Sequence, residues 1–394
     1  MNYSNKLNSK DNFLSLLDNY KKDKDFCIPS NVKDIYSKYA SETNFVLLGR
    51  SFFSWNFVLA ARDRFENLLI VDDYHYNNGS QMLGVEIISF DKLLEISKFK
   101  KNIIAINCCP NGNAEQFFNR MCSIREIPLI NKEQATRLTC INSGLDYRLE
   151  DWSLYIRENE SKLLNLSQLF SDEQSAESMF DVLNYQLTCD SGYIKRIAKT
   201  ESSLYFHSNF FNFSNNEKFI DCGAADGDTT KTFLDITKCN IERAWMIEPA
   251  PVHHEPLQNF MRSIKSEKLD GKITLHKCGV GDGDFIASFN QDGNGSKVST
   301  DENGMKINIK KLDNIIEDNP TFIKMDIEGF ELSALKGAQS LIKSSKPKMA
   351  ISAYHRSSDF VDIVSYVFSL NLDYKVGLRH HSNDRWETCL YFYQ

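Results

Sequence analysis

Three short stretches of the chain concentrate the residue types that hold ligands and move protons. The first runs from Phe219 to Thr229 (FIDCGAADGDT): an apolar run closing on Asp221, a turn holding Gly223, Ala224, Asp226 and Gly227, then a helix start. Gly223 and Gly227 let the backbone approach a ligand closely. The spacing is G-x-x-x-G rather than G-x-G-x-x-G, and an acid precedes the glycines, where a pyrophosphate would be repelled. That argues against a dinucleotide and for S-adenosylmethionine, which carries an ammonium and a sulfonium and no phosphate. A plain strand–turn–helix junction is the bland alternative. The second stretch is Trp245 to Pro249 (WMIEP), whose Glu248 lies 21 residues after Gly227. An acid about 20 residues past a glycine turn is where a carboxylate grips a ribose diol. The third is Phe322 to Glu331 (FIKMDIEGFE). Asp326 is the first candidate for contact with the reacting end, as base or as ligand of a divalent ion. Glu328 is the second, and both also suit helix N-caps. His355, after the next strand, is a candidate general base, against a packed or capping histidine. Lys324 falls on the same strand face as Asp326, or is buried against an acid. Cys278 and Gly279 sit where an adenine would lie, or form a tight exit turn.

These residues need a scaffold that brings them together. From Phe219 onward, strands and helices alternate: Phe219–Cys222, Ala244–Glu248, Ile273–Lys277, Phe322–Asp326, Lys348–Tyr354, Tyr374–Arg379 and Thr388–Tyr393 read as strands. Such alternation gives a doubly wound α/β sheet, with ligands at the carboxyl ends of the strands near the switch point. Asp221 and Asp326 are therefore expected to face one crevice, with His355 beside them. The last two strands leave no room for a crossover helix and should pair antiparallel. Gly281 to Gly304 reads as hairpins and loops, and the segment Gly293–Ser299 as a cover over the acceptor or a mobile loop.

Ahead of this lies a smaller α/β region, with strands at Phe45–Leu48, Leu68–Val71, Gly84–Ile88 and Asn102–Ile106. Residues 1–40 suggest a surface helix. Gly49, Arg50 and Ser51 after one strand and Asp72 and Asp73 after the next are a weak nucleotide signal, with a scaffold or dimerisation role the stronger reading. The expected domains are 1–150, a Rossmann-like α/β domain; 151–205, a helical connector; and 206–394, the doubly wound domain.

Composition narrows the function. The chain has 394 residues, 42% of them hydrophobic and 25% charged, with a net charge of −7. No basic stripe suggests a nucleic-acid partner. No apolar run approaches the ~20 residues of a membrane span, and the first residues lack the apolar core of a secretory signal. Ten cysteines without a C-x-x-C suggest reduced thiols and a cytoplasmic location. The histidine pairs His253–His254 and His380–His381 read as surface loops rather than metal ligands.

Together, D-x-G-x-x-x-G, I-E-P and K-M-D-I-E-G-F-E followed by L-K-G-A resemble the FkbM-type methyltransferase family. The segments Ala353–Arg356, Gly377–His381, Trp386–Tyr391 and Leu204–Phe206 are also similar to one branch of it. The resemblance covers about residues 200–394. It implies a class I, Rossmann-like methyltransferase sheet ending in an antiparallel hairpin, use of S-adenosylmethionine, and O-methylation, often of sugars in glycans, glycolipids or natural products. One departure is Ala225, where many methyltransferases have glycine. The resulting expectation is an enzyme acting on a small-molecule or glycan acceptor, with a homodimer and a divalent metal left open and no metal ligand assigned. Its rivals are N-methylation of a non-sugar acceptor and a nucleotide-sugar sensor with a silent methyltransferase fold.

Overall fold

The structure is a computed structural model describing residues 8–77, 79–109, 112–141, 148–199, 204–264, 268–292, 295–299, 305–370 and 372–394. The chain forms two compact units. One comprises Met1–Glu158 with Leu183–Asp190, the other Asn159–Val182 with Ser191–Gln394. Residues 151–205, expected as a helical connector, fall partly in each unit.

In the first unit the elements follow as α1 (Ser9–Lys22), α2 (Ser30–Tyr39), β1 (Asn44–Leu48), α3 (Phe52–Ala61), β2 (Asn67–Val71), β3 (Gln81–Met82), β4 (Val85–Ile88), α4 (Phe90–Ser97), β5 (Ile103–Asn107), α5 (Gly112–Ile124), β6 (Leu129–Asn131), α6 (Lys132–Thr139) and α7 (Arg148–Glu158). The sheet order is β3-β4-β2-β1-β5-β6, parallel except for the β3–β4 pair. Every residue of β1 is buried. Phe45 and Leu47 join the core on one face, Val46 and Leu48 the core on the other. Such a strand, apolar on both sides, is what a parallel sheet covered on both faces requires. The first helix is less superficial than expected: Phe13, Leu17 and Tyr20, at helical spacing, are all buried. After β1, Gly49 has φ +90°, and a Cβ there would lie 2.8 Å from Cys109 Sγ. Packing thus demands this glycine without any ligand. Arg50 and Asp72 pair with each other at 2.6 Å.

The remaining elements are α8 (Glu160–Ser167), α9 (Glu173–Thr188), α10 (Gly192–Ile197), β7 (Glu217–Cys222), α11 (Asp228–Ile236), β8 (Ile241–Ile247), α12 (Pro251–Ser263), β9 (Ile273–His276), β10 (Gly279–Val280), β11 (Phe285–Asp292), β12 (Gly295–Ser299), β13 (Met305–Lys310), α13 (Leu312–Ile315), β14 (Phe322–Met325), α14 (Glu331–Lys336), α15 (Gln339–Ser345), β15 (Lys348–Ser352), α16 (Asp359–Ser369), β16 (Lys375–His380) and β17 (Thr388–Tyr393). The main sheet of the second unit has the order β16-β17-β15-β14-β7-β8-β9. β17 is antiparallel to both β15 and β16, and the other pairings are parallel. The topological reversal falls between β7 and β14, where the crevice was expected. Phe219 and Phe322, paired across these strands, stack at 5.2 Å within an aromatic cluster that includes Phe206, Phe213 and Phe233.

The loop-rich region after β9 forms a second sheet, β10-β13-β11-β12. The Gly293–Ser299 segment lies partly outside the described residues, and its Gly295–Ser299 portion is strand β12. Both histidine pairs depart from the surface-loop reading. His253 and His254 lie in α12. His380 ends β16 and His381 follows it; both are buried, His380 facing the Thr388 hydroxyl at 2.9 Å and His381 the Tyr391 hydroxyl at 2.6 Å. Burial lowers the His380 pKa to about 4, so it is neutral. Among the described residues no helix is long and apolar enough to cross a membrane.

Candidate active site

A cavity opens at the carboxyl ends of β7, β8 and β14. Its walls include Gly223, Ala225, Glu248, Pro249, His253, Cys278, Gly279, Asp326, Ile327, Glu328 and Phe330, with Val280, Ile307 and Ile309 from the small sheet. Sequence reasoning had named Gly223, Glu248, Cys278, Gly279, Asp326 and Glu328, and these six are brought together. It missed Ala225, His253 and the two isoleucines of β13, a strand just past the Gly281–Gly304 stretch read as hairpins and loops.

The glycine turn is shaped by backbone contacts. Gly223 has φ +78°, and a Cβ on it would fall 1.9 Å from the Asp326 carbonyl oxygen, so a side chain cannot fit. Gly227 has φ +85°, and a Cβ there would meet Phe260 at 2.8 Å. Its glycine serves packing against α12, and it does not line the cavity. Ala224 is buried behind the turn. Asp226 reaches His253 Nδ1 at 2.7 Å at the mouth, with its own side chain 72% exposed.

Glu248 lies beyond β8 and is nearly buried. Its Oε2 accepts the Ala225 amide at 3.0 Å and its Oε1 the Ala250 amide at 2.8 Å. These two bonds fix the carboxylate while leaving each oxygen a further lone pair for a ligand hydroxyl.

Asp221 does not reach the cavity. It is fully buried, opposite Lys324 in the β7–β14 register. The two pair at 3.0 Å, and Thr230 Oγ1 donates to Asp221 Oδ2 at 2.7 Å. The expected crevice contact fails because the side chain alternates onto the sheet face that carries Lys324 and α11. Lys324 Nζ also donates to the carbonyls of Gly223 at 2.7 Å and Cys222 at 3.2 Å, with the Tyr205 ring 5.1 Å away. Burial works against the ammonium, but the Asp221 and Asp326 carboxylates outweigh it and raise its pKa. The ion pair therefore clamps the glycine turn from beneath.

Asp326 follows β14 with its side chain 22% exposed. Tyr205 donates to its Oδ2 at 2.7 Å and Tyr354 to the same oxygen at 3.2 Å and to Oδ1 at 3.1 Å. Burial would raise its pKa, but His355, Lys324 and the two hydroxyls prevail and hold it below the usual value. Asp326 is therefore a carboxylate at neutral pH. The next residues are conformationally forced: Glu328 has φ +58° and Gly329 +92°. A left-handed glutamate costs on the order of 1–2 kcal/mol, and the turn places Glu328 on the cavity wall.

His355 is corrected most sharply. It is 4% exposed and does not line the cavity. Its Nδ1 lies 3.0 Å from Glu331, and its Nε2 lies 3.6 Å from Asp326 and 3.7 Å from Glu328. Burial opposes its charge, yet Glu331 and then Asp326 and Glu328 overcome that and raise its pKa to about 10. An imidazolium cannot act as a general base near neutrality. It instead steadies the two carboxylates that face the cavity.

Asp326, Glu331 and His355 offer ligand atoms all within 4.8 Å of one another. Glu331 Oε1 accepts the amides of Ile327 and Gly329 and Asp326 accepts two tyrosine hydroxyls, while the buried Glu331 Oε2 meets no donor among the described residues; a divalent ion held here would have to displace the His355 proton.

The Methyltransferase FkbM domain model matches residues 221–376. A crystal structure of methyltransferase FkbM from Methylobacillus flagellatus KT is 38% identical, covering 98% of this chain and 99% of that one, with a TM-score of 0.89. This chain belongs to the FkbM methyltransferase family. The FkbM assignment spans both units, since the match covers nearly all of each chain. A putative rRNA-methylase from Clostridium thermocellum is 11% identical over 51% of this chain and 90% of that chain, with a TM-score of 0.31. The precorrin-6y C5,15-methyltransferase of Geobacter metallireducens is 12% identical over 48% of this chain and 82% of its own, with a TM-score of 0.26. No curated protein matches. In this FkbM methyltransferase the cavity walls carry Glu248, Asp326 and Glu328 against His253 as the one basic side chain among the described lining residues. A polyphosphate would be repelled there, whereas a ligand bearing a sulfonium, an ammonium and a ribose diol suits the donor set.

Proposed function

We propose that this protein transfers a methyl group from S-adenosylmethionine to a hydroxyl oxygen of a carbohydrate acceptor. The observation that carries the reading is the acidic cavity at the β7–β14 switch point, with Glu248 at one side and Asp326 and Glu328 at the other. The carbohydrate acceptor is supported by the family resemblance, and paired carboxylates at the cavity wall suit an acceptor with neighbouring hydroxyls.

S-adenosylmethionine supplies, when bound, a methyl group on a sulfonium. Glu248 would accept hydrogen bonds from the ribose hydroxyls, and Cys278, Val280, Ile307 and Ile309 would give the adenine an apolar bed. Asp326 and Glu328 orient the acceptor. Holding the hydroxyl in line with the methyl and sulfur can supply several kcal/mol of the barrier. Asp326 Oδ1 accepts only Tyr354 among the described hydroxyls and is the atom that takes the acceptor's hydrogen bond, then its proton as the new bond forms. His355 and Lys324 keep that carboxylate ionised until then. No step requires a metal.

The test is calorimetric titration with S-adenosylmethionine, followed by turnover to S-adenosylhomocysteine with panels of sugars, glycolipids and amines. Binding with sugar-dependent turnover is the expected result. Turnover with amines alone would replace the oxygen acceptor, and no binding at all would overturn the enzymatic reading.

A further inference from the structure

Outside the cavity, two of the ten cysteines have the surroundings of a reactive pair. Cys27 lies between α1 and α2 and is partly exposed. Its sulfur accepts a hydrogen bond from Arg137 Nη1 of α6 at 3.2 Å, and the Cys189 thiol sits within interaction reach of it. Cys189 is fully buried, immediately after α9. The guanidinium cannot swing aside. Its Nη1 also donates to the Leu187 carbonyl at 3.1 Å, and its Nη2 donates to Ser153 Oγ at 2.8 Å and the Gln186 carbonyl at 3.2 Å. Among the described residues no carboxylate pairs with Arg137, so its charge is matched when Cys27 ionises. The other buried thiols differ. Cys108 and Cys109 are raised by burial, Cys109 to about 11.

We propose that Cys27 and Cys189 form a peroxide-oxidisable pair in which Cys27 attacks and Cys189 resolves. The Cys27 thiolate attacks one oxygen of hydrogen peroxide. The S–O bond forms as the O–O bond breaks, and the departing oxygen leaves as water after protonation. The Cys189 sulfur then displaces the hydroxyl from the sulfenic acid, its own proton leaving with that oxygen as a second water. Two thiols and one peroxide give one disulfide and two waters. Thiolates beside cationic groups are the ones that react in this way. The Cys189 thiol and then Arg137, against burial, lower the Cys27 pKa to about 7, which gives a substantial thiolate fraction at neutral pH. The cross-link would tie the segment before α2 to the carboxyl end of α9.

The experiment treats the reduced full-length protein with hydrogen peroxide at pH 7, blocks remaining thiols and maps peptides without reduction. The expected product has lost two hydrogens, contains a peptide joining Cys27 to Cys189, and reverts with dithiothreitol. Cys27 should be consumed roughly tenfold faster than Cys140, which is exposed and serves as an internal reference. In Cys189→Ala, dimedone should trap a sulfenic acid on Cys27. In Arg137→Gln, consumption of Cys27 should slow by roughly threefold to tenfold. Absence of the linked peptide from the wild-type protein, or Cys140 reacting as fast as Cys27, overturns the proposal.

Discussion

The Tyr205 hydroxyl and the Asp326 carboxylate, 121 residues apart in the chain, meet at 2.7 Å. The bond joins the segment leading into β7 to the acid at the end of β14. Tyr354 adds a second hydroxyl from beyond β15, so two separated segments converge on one carboxylate. Asp326→Asn should lower kcat by about 10²-fold or more, near the usual range for a proton-transfer group, while changing the S-adenosylmethionine Kd far less. Tyr354→Phe should fall between the two. Steady-state kinetics and calorimetry on the same preparations check this, and equal losses in Kd and kcat would move Asp326 to the cofactor.

Glu248→Gln keeps the side chain's size and one acceptor for the backbone but removes the charge. Loss of charge-assisted bonds to a ribose should cost about 1.5–3 kcal/mol, read as a roughly tenfold to hundredfold rise in Kd by calorimetry. A variant with wild-type affinity would mean that the ribose lies elsewhere.

For Asp221 and Lys324 the expected readout is stability. Lys324→Met leaves a buried carboxylate without its partner, a change that costs about 3–5 kcal/mol. Urea unfolding should show that loss. The double change Asp221→Leu with Lys324→Met should recover a good part of it, since no buried charge is then left without its counterion. The glycine turn would still lack the lysine's grip on Cys222 and Gly223, so cofactor affinity should stay impaired in the double variant.

His355 gives stability a pH dependence of definite sign. It binds its proton more tightly folded, with a pKa of about 10 against 6.5. Its contribution is complete below about pH 6.5 and is lost as pH rises toward 10. Asp359, raised to about 7 from 3.8 by burial and by Glu331, acts with the same sign at lower pH: the folded state favours its protonated form, and stability falls as pH climbs from about 4 to 7. His380 and Cys27, whose pKa values are lowered, act with the opposite sign, so the readout is the difference between wild type and His355→Gln, which should shrink as pH rises from about 6.5 to 10. A difference that stays constant or grows with pH would refute the cationic assignment.

Much of this was legible in the sequence because parallel strands advertise themselves. Every position of β1 is buried, and its apolar run FVLL needed no partner to be recognised. The place of Glu248 on the cavity wall was legible from its distance to Gly227 and the apolar strand before it. The role of Asp221 was not, because whether a strand-end acid faces a crevice or the interior depends on a one-residue alternation and on a register that sets Lys324 opposite. His355 misled for a related reason. The sequence shows a histidine after a strand, but its charge state comes from Glu331, Asp326 and Glu328 gathered around it. The hairpin of β11 and β12 was legible in the Gly- and Asn-rich stretch, but β13 lies just past it, so Ile307 and Ile309 went unassigned as cavity walls.

The contact between Gly223 and the Asp326 carbonyl has a mechanical meaning. The two strands that frame the cleft touch through peptide groups, with no side chain interposed. Covalent geometry, rather than rotamer choice, therefore sets the spacing between the turn proposed to seat the cofactor and the backbone that carries the reacting acid. Core side chains can hop between wells without changing that separation. Tuning toward a larger or smaller acceptor must then come from wall side chains outside this contact, such as Glu328, whose length and shape can change without moving the seat itself.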